Sequence, residues 1–397
     1  MVPGTHSGRP LPAGWRWVRL GEVAAVISGQ HILESDYNQN ARGIGYLTGP
    51  ADFGVTKPAI TKWTEKPRVL CEPIDVLVTV KGAGVGKIDL SPDVPVAIGR
   101  QLMAVRGHHD SIDRMFLFSF LITCLDYFQK NAMGATVPGL SRDDLEMLNF
   151  PLPPLSEQRR IAAVLREQMA AVEKARAAAQ DRLEAAARLP DAFMEQCFEG
   201  ADAAAWPRIS MAEVCKIVAA QVDPKLPELR DLPHVNGENI ESGTGRMFGI
   251  KSAAEDRMTS GKYLFEPPVV LYSKLRPYLR KAVAADFRGL CSADMYPLEF
   301  DDNRVEPHFA LWVLLSRSFT EYAISESQRA RMPKLNRDQL FGWKFPVPLL
   351  AVQRRVIAYI NQQMQTAQLA IASLREELQT IEALPAALLH RAFNGEM

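Results

Sequence analysis

The chain contains one long phrase twice. The sequence FPLPPLSEQRR, from Phe150 to Arg160, returns as FPVPLLAVQRR from Phe345 to Arg355, at a displacement of 195 residues. At the same displacement VPGLSRDDL precedes the first copy and MPKLNRDQL the second, and a Leu-Pro pair and a Phe-x-Gly phrase follow each copy. Repetition at a fixed displacement is typical of duplicated structural units, so the chain is predicted to fold as two related halves.

Outside these phrases the two halves are similar only in fragments. Gly49 aligns with Gly237, and Trp17-Val-Arg-Leu resembles Trp206-Pro-Arg-Ile, at displacements that differ slightly from 195 residues. Strong similarity in the connecting segments and weak similarity in the globular ones indicate a common frame that presents two different binding surfaces. Duplication of a purely structural domain would leave that divergence without a reason. We therefore predict globular segments at 1–150 and 201–345 and helical segments at 151–200 and 346–397.

Each repeated phrase opens a helical segment in which apolar or small residues recur at spacings of four and three. The remaining faces are polar, so the two stripes are predicted to pack on each other as a coiled coil. The helices must run antiparallel, because the first leads from one globular segment to the other and the second leads away. Pro190 and Pro385 are expected to interrupt each helix and to start a short terminal helix. The predicted seam comprises Leu165, Met169, Val172, Arg176, Ala179, Leu183 and Ala186 in the first helix and Ile360, Met364, Ala367, Ile371, Leu374, Leu378 and Ile381 in the second.

The globular segments combine strand-like and helix-like patterns. Short runs rich in Val, Ile, Leu and Thr, such as IDVLVTV and PPVVLYSKL, are punctuated by Gly and Pro and predict strands. Helical patterns follow in each half, at Met115 to Gln129 and at His308 to Ser325. The predicted fold class is mixed α/β (α+β): two globular domains, each with a strongly twisted sheet, joined by two long antiparallel coiled-coil helices in a pseudo-two-fold repeat.

Composition restricts the class of protein. The 397 residues suffice for two cores, and no stretch approaches the roughly 18 consecutive apolar residues of a membrane span. The beginning of the sequence lacks the basic-then-apolar order of a signal peptide, so a cytoplasmic protein is expected. The five cysteines are scattered without metal-ligand spacing and are expected to be buried reduced thiols. Because 46 basic residues balance 46 acidic ones, any attraction to nucleic acid must be local.

No catalytic motif is found. KGAGVGK, from Lys81 to Lys87, has a lysine where a nucleotide-binding loop needs its first glycine, and Ile88 stands where that loop needs Ser or Thr. The nearest string to an amino-methyltransferase motif is Leu152-Pro153-Pro154-Leu155, which has no Asn or Asp to hold an exocyclic amine. The sequence therefore predicts a non-catalytic chain with no metal or cofactor of its own. The favoured interpretation of KGAGVGK is a flexible loop or β-turn able to approach a phosphate backbone.

Basic clusters are the candidate binding residues. Arg and Lys neutralise phosphates, while Arg and Gln can also bind guanine and adenine edges bidentately. A solvated charged face remains the alternative for any single residue. The candidates in the first half are Lys57, Lys62, Lys66, Arg68, Lys81, Lys87, Arg100 and Gln101, and those in the second half are Lys274, Arg276, Tyr278, Arg280, Lys281, Arg331 and Lys334.

With these residues in view, the chain resembles the specificity subunits of type I restriction–modification systems. The resemblance rests on the constant segments PLPPLSEQRRIAAVL and PVPLLAVQRRVIAYI, on the terminal phrase LPAALLHRAFNGEM, and on GENIESGTGR and LRPYLRK in the second half. It covers nearly the whole chain. The second constant segment departs from the first because Ala351-Val352 replaces Ser156-Glu157, so its helix lacks a serine-based N-cap pattern.

The resemblance implies a function that composition alone does not. Each globular segment would be a target-recognition domain that binds one part of a bipartite double-stranded DNA site. The helices would set the spacing and dock two methyltransferase (M) subunits, which bring S-adenosylmethionine and the adenine-methylating site. Restriction (R) subunits would add ATP-driven translocation and cleavage. A solitary DNA-binding adapter or regulator without a methyltransferase partner is the alternative.

Overall fold

The computed structural model describes residues 11–54, 57–132, 139–218, 220–327 and 333–397. The chain divides into two compact units. Unit 1 gathers Met1–Ala179 and Glu377–Met397, and unit 2 is Gln180–Glu376. Each unit therefore contains one globular head together with parts of two long helices. Nothing in this division tests the linear boundaries predicted at 150, 200 and 345, which stay predictions.

The first head is built of short strands followed by helices. The described elements up to the first long helix are β1 (Arg16–Arg19), α1 (Leu20–Val23), β2 (Ala24–Ser28), β3 (Tyr37–Asn38), β4 (Ile44–Leu47), β5 (Trp63–Thr64), β6 (Leu70–Cys71), β7 (Val76–Thr79), β8 (Ile88–Leu90), β9 (Val96–Ile98), β10 (Leu102–Gly107), α2 (Arg114–Thr123), α3 (Leu125–Ala132), α4 (Arg142–Glu146), β11 (Asn149–Leu152) and α5 (Leu155–Glu199). We call β1 to β11 with α1 to α4 head 1.

The second head repeats this plan. Its elements, with the last helix, are α6 (Ala201–Ala204), β12 (Arg208–Ser210), β13 (Cys215–Ile217), β14 (Gln221–Val222), β15 (Pro233–Val235), β16 (Lys251–Ser252), β17 (Lys262–Phe265), β18 (Val269–Ser273), β19 (Ala282–Ala285), β20 (Gly289–Cys291), β21 (Met295–Phe300), α7 (Pro307–Leu315), α8 (Arg317–Ser327), α9 (Arg337–Gly342), β22 (Lys344–Pro346) and α10 (Leu350–Phe393). We call α6 to β22 head 2.

The two-stranded and four-stranded sheets of the two heads correspond strand by strand, and the five-stranded sheets share four equivalent strands, all except β3 and β14. Head 1 has a two-stranded sheet β1-β11, a four-stranded sheet β2-β10-β7-β8 and a five-stranded sheet β3-β5-β4-β9-β6. Head 2 has β12-β22, β13-β21-β18-β19 and β14-β17-β20-β15-β16. In each head the described strands include one parallel pair, β4 with β9 and β15 with β20, and the other named pairs are antiparallel. The predicted mixed α/β class with an internal repeat is confirmed.

In each unit the core includes both long helices. In unit 1 the start of α5, at Ile161 and Leu165, and the end of α10, at Phe393, belong to one buried cluster with Phe116 and Phe150. The rings of Phe116 and Phe393 are 5.0 Å apart. In unit 2 the roles of the helix ends are exchanged, since Met194 and Phe198 near the end of α5 and Ile360 and Met364 near the start of α10 join the cluster around Phe309. Each head is therefore closed by the start of one helix and the end of the other.

The predicted seam is correct at all but one position. Every seam residue is buried or half-buried except Arg176, which is exposed and donates to Glu173 on its own helix. Within unit 1, Arg160 donates to the Met397 carbonyl oxygen at 2.7 Å, whereas Arg176, farther along α5, interacts electrostatically with Glu382, farther back in the chain. Residue numbers rise along one helix as they fall along the other, so the predicted antiparallel direction is confirmed in this unit.

The expected helix breaks at Pro190 and Pro385 are wrong. Both prolines lie inside continuous helices, α5 and α10. A proline removes one backbone hydrogen bond and crowds the preceding turn, which disfavours but does not forbid a helix. Here the residues beyond each proline are held by burial, Met194 and Phe198 in one helix and Leu389 and Phe393 in the other. Packing on both sides of the proline thus offsets the local cost.

A buried glutamine joins each long helix to its head. Gln158, in the first repeated phrase, accepts a hydrogen bond from the Asp113 amide at 2.9 Å and donates to the carbonyls of Ser111 and Pro153. Gln353, its counterpart, accepts from the Glu306 amide at 2.9 Å and donates to the carbonyls of Arg304 and Pro348. Both side chains are completely buried. The glutamine of Gln-Arg-Arg is therefore a structural anchor, which explains why it occurs in both repeats.

The cysteines agree with the sequence-based expectation. All five are free, and Cys197 is half-buried while the others are buried. Burial raises the pKa of the Cys71, Cys215 and Cys291 thiols to about 12. These thiols therefore stay protonated at neutral pH and pack as small apolar groups. Among the residues that the structure describes, no helix has the length and apolar character needed to cross a bilayer.

Candidate nucleic-acid interface

The two heads carry the same pair of turns at the ends of equivalent strands. In head 1 the Thr79 amide donates to the Lys87 carbonyl at 2.8 Å, so residues 81–87 form a turn between β7 and β8. In head 2 the Ser273 amide donates to the Lys281 carbonyl at 2.9 Å, so residues 275–281 form the corresponding turn between β18 and β19. We call these two segments the long turns.

A second, shorter turn lies beside each long turn. The Val80 amide donates to the Gln101 carbonyl at 2.8 Å, and the Lys274 amide donates to the Asp294 carbonyl at 3.1 Å. Residues 99–101 link β9 to β10, and residues 292–294 link β20 to β21. We call these the short turns. Gln101 in head 1 and Asp294 in head 2 therefore occupy equivalent backbone positions.

The long turns are equivalent although their sequences look unrelated. Gly82 and Gly86 of KGAGVGK both have φ of +88°. At the matching places in LRPYLRK stand Arg276, with φ of +50°, and Arg280, with φ of +48°. Glycine adopts this left-handed conformation readily, whereas a residue with a Cβ is uncommon there. The glycine-rich phrase is therefore a turn of the head, in agreement with its exclusion as a nucleotide-binding loop.

In head 1 four of the predicted binding residues fall on these turns. Lys81 and Lys87 are the end residues of the long turn, and Arg100 and Gln101 lie in the short turn. All four are exposed. Their convergence creates a patch with three cations and one amide.

The other four predicted residues of head 1 have different surroundings. Lys57 forms an ion pair with Asp93, Lys66 forms one with Asp36 at 2.7 Å, and the Lys62 ammonium lies 5.5 Å from the centre of the Tyr37 ring. Arg68 is exposed and precedes β6. Lys57, Lys62 and Lys66 thus have contacts within the head, and a DNA contact by any of the four residues stays a prediction.

In head 2 two predicted lysines are engaged in internal hydrogen bonds. Lys274 is only 8% exposed, donates to the Ala293 carbonyl oxygen and lies over the Tyr296 ring at 5.1 Å. Burial, with the nearby Lys334 ammonium, lowers the pKa of Lys274. Lys281 donates to the Gly237 carbonyl oxygen. In this conformation Lys274 supports the short turn from beneath, which the sequence pattern did not indicate.

Arg280 also has a structural role. Its guanidinium donates to the Leu315 carbonyl oxygen at 3.1 and 2.6 Å, at the C-terminal end of α7, and to Asp191 of α5 at 2.6 Å. Its own carbonyl accepts from the Gly243 amide. A cation at a helix C-terminus is stabilised by the exposed carbonyl groups and the helix dipole. Arg280 therefore ties α5, α7 and the GENIESGTGR segment together.

The remaining predicted residues of head 2 point outward. Arg276, Tyr278 and Lys334 are exposed, and within the described ranges their side chains have no hydrogen bond or ion pair. Lys334 is adjacent in space to the long turn, because it forms a β-bridge with Leu275. Arg331 lies outside the described residues. Asp294, which the sequence did not single out, belongs to the same patch.

Comparison with known proteins agrees with this architecture. Residues 12–179 match the family model of the type I restriction modification DNA specificity domain. The specificity subunit of the type I restriction enzyme EcoDI from Escherichia coli is 28% identical over 312 residues, which cover 71% of this chain and 70% of that protein.

Two solved structures share the fold. The HsdS subunit from Thermoanaerobacter tengcongensis aligns with a TM-score of 0.65 and 22% identity, covering 99% of this chain and 100% of that one. A chain from a study of complex assembly and conformational transition in the type I R-M system aligns with a TM-score of 0.77 and 23% identity, covering 98% of this chain and 100% of that one. At these identities the likeness concerns the fold.

Two α/β heads with long helices, together with the match to the DNA specificity domain and to a specificity subunit, define the non-catalytic specificity class of protein. Residues 12–179 belong to the family of type I restriction modification DNA specificity domains, and the chain as a whole is similar to a type I specificity subunit. The resemblance that the sequence indicated is confirmed.

Proposed function

We propose that this chain selects the DNA sites at which partner subunits of a type I system act. Each head binds one half of a bipartite double-stranded DNA site, and the long helices carry two M subunits, with R subunits joining for restriction. Because the DNA on which such a system acts lies inside the cell, the proposed place of action is the cytoplasm. The observation that carries the proposal is the equivalence of the two heads in backbone and their difference in exposed turn residues.

The electrostatics of the turns support this proposal. The long and short turns of head 1 expose Lys81, Lys87 and Arg100, and the patch of head 2 exposes Arg276 and Lys334. With a net charge of zero, the chain has no bulk attraction for DNA, so local cations must supply the phosphate contacts. A patch that combines cations with polar side chains suits a ligand with both phosphates and base edges.

Reconstitution tests the proposal. The purified chain alone is expected to bind no S-adenosylmethionine and to methylate nothing, whereas the chain mixed with its M subunit methylates adenine at a defined bipartite site. Methylated bases are located by sequencing DNA from both reactions. Methylation by the chain alone would contradict the proposal, as would site-independent methylation by the mixture.

Substitutions of Arg276 and Arg280, four residues apart, are expected to have opposite effects on DNA binding and on stability. Arg276→Ala is expected to reduce the magnitude of the log–log salt slope of DNA binding by about 0.9, as one lost phosphate contact does, and to leave unfolding unchanged. Arg280→Ala is expected to lower the free energy of unfolding by about 2 kcal/mol, because it removes charged hydrogen bonds to a helix end, and to leave the salt slope unchanged. Salt titrations and urea unfolding of both variants test this pair. A reduced slope with unchanged stability for Arg280→Ala would overturn the structural assignment.

A further inference from the structure

We infer that the last residue of the short turn, Gln101 in head 1 and Asp294 in head 2, is the position at which each head distinguishes bases. The inference rests on the proposed function and specifies it further. Gln101 would bind adenine, and Asp294 would accept a hydrogen bond from the amino group of cytosine.

The backbone frame argues for this position. In both heads the short turn is hydrogen-bonded to the strand that leads into the long turn, through the amides of Val80 and Lys274. The same strand residues also accept a bond from the segment that precedes the last small helix, from the Leu140 amide in head 1 and the Leu335 amide at 3.0 Å in head 2. A position held by the same bonds in both heads keeps its place when its side chain changes. Such a position can alter specificity without altering the fold.

The side chains of Gln101 and Asp294 are polar and exposed. Within the described ranges neither the Gln101 amide nor the Asp294 carboxylate has a side-chain hydrogen bond. A Gln amide offers a donor and an acceptor in the arrangement that matches adenine N7 and N6, and an Asp carboxylate accepts from cytosine N4. The other candidates on the turns are Lys or Arg and Tyr278, whose side chains bind phosphates of any sequence as well. Among the exposed residues of the turns, Gln101 and Asp294 are therefore those whose hydrogen bonding depends most on the identity of the base.

In head 1 the surroundings leave room for close approach of a ligand. The Gln101 side chain passes over Gly49, where a Cβ would collide with its amide oxygen, and its amide nitrogen lies 4.0 Å from where a Cβ on Gly82 would stand. Two glycines thus flank the amide, and glycine is the residue that permits close approach of a backbone to a ligand.

In head 2 the carboxylate is placed among cations. The buried Lys274 ammonium is fixed on the carbonyl of Ala293, the residue before Asp294, and interacts electrostatically with Asp294, Lys334 and Arg337. These charges offset the repulsion between a carboxylate and DNA phosphates. At the equivalent place head 1 has the apolar Val80, consistent with a neutral Gln101 that needs no compensation.

The test uses the complex of the full chain with its M subunit. The methylated site of the parent is compared with those of Gln101→Ala and Asp294→Ala, with Gln129→Ala and Asp286→Ala as controls at exposed positions outside the turns. We expect each turn variant to lower discrimination at one position of one half-site by roughly 5- to 150-fold. The two variants should affect different half-sites, and the controls neither.

Further variants separate this position from a general effect on DNA binding. Gln101→Asp should shift the preferred base at the affected position, and Gly49→Ala, which keeps the glutamine but displaces it, should weaken the same preference. A variant that methylates nothing is tested by selecting bound sequences from a random library. Parental base preferences in every turn variant, or changes confined to one half-site for both turns, would overturn the inference.

The parental complex serves to distinguish failure of the proposed function from failure of the assignment of Gln101 and Asp294. If the parental complex methylates no defined bipartite site, the proposed function itself is wrong. If the parent does so and the turn variants retain its site unchanged, the proposed function stands and only the assignment of Gln101 and Asp294 is wrong.

Discussion

Gln158→Leu is expected to lower the free energy of unfolding of unit 1 by roughly 3–9 kcal/mol, among the largest effects of any single substitution in this chain. The side chain is completely buried and bonds three backbone groups: the Asp113 amide and the carbonyls of Ser111 and Pro153. Leucine leaves all three without these partners, and each buried unsatisfied group costs about 1–3 kcal/mol.

The same argument applies to Gln353→Leu in unit 2, where the Glu306 amide and the carbonyls of Arg304 and Pro348 lose their partner. Urea unfolding measures the total loss, and hydrogen exchange locates it. We expect faster exchange at Asp113 in the first variant and at Glu306 in the second. The exposed neighbours offer matched controls, Arg159→Leu and Arg355→Leu. Glutamine variants as stable as these controls would show that the anchor contributes nothing.

Sequence reasoning was most successful where the pattern is set by burial of repeated elements. The helix seam could be predicted because an apolar stripe on a helix must be buried against another element, and the repeat supplies a second helix with the same stripe. The structure agrees at every seam position except Arg176, which bonds Glu173 on its own helix instead. The class of the heads could likewise be predicted, because a run of short strands precedes helices in both halves.

The candidate interface was less predictable, because residue type does not fix where a side chain points. Lys274, Arg280 and Lys281 form one basic phrase with Arg276, yet three of these four side chains bond backbone carbonyls of the head. The equivalence of KGAGVGK and LRPYLRK was hidden because arginine replaces glycine at two left-handed positions. Asp294 was overlooked since a lone acidic residue carries no DNA-binding signal, and it becomes significant only when aligned with Gln101.

The continuous helices make the spacing of the half-sites a testable quantity. α5 and α10 pass through their prolines without a break, so an added heptad lengthens each helix rather than a loop. In unit 1 Arg176 of α5 interacts electrostatically with Glu382 of α10. Because the two helices run antiparallel, the residues one turn after Arg176 face those about one turn before Glu382. Insertions after Ala179 and after Glu377 therefore face each other. A second copy of residues 173–179 and of residues 371–377 keeps the apolar seam in phase.

The double insertion is expected to abolish methylation at the parental site and to create a preference for a longer one. Seven residues at about 1.5 Å each add roughly 10 Å, equivalent to about three base-pair rises of about 3.4 Å. Because the added length does not rotate one head to follow the DNA groove, the new site should be bound more weakly. Selection from a library of half-sites with variable spacers measures the preferred length for parent and variant. Insertion into α5 alone is the control, since it shifts the apolar seam of α5 by one heptad relative to that of α10. A folded double variant that binds DNA and keeps the parental spacer would refute the idea that these helices set the distance.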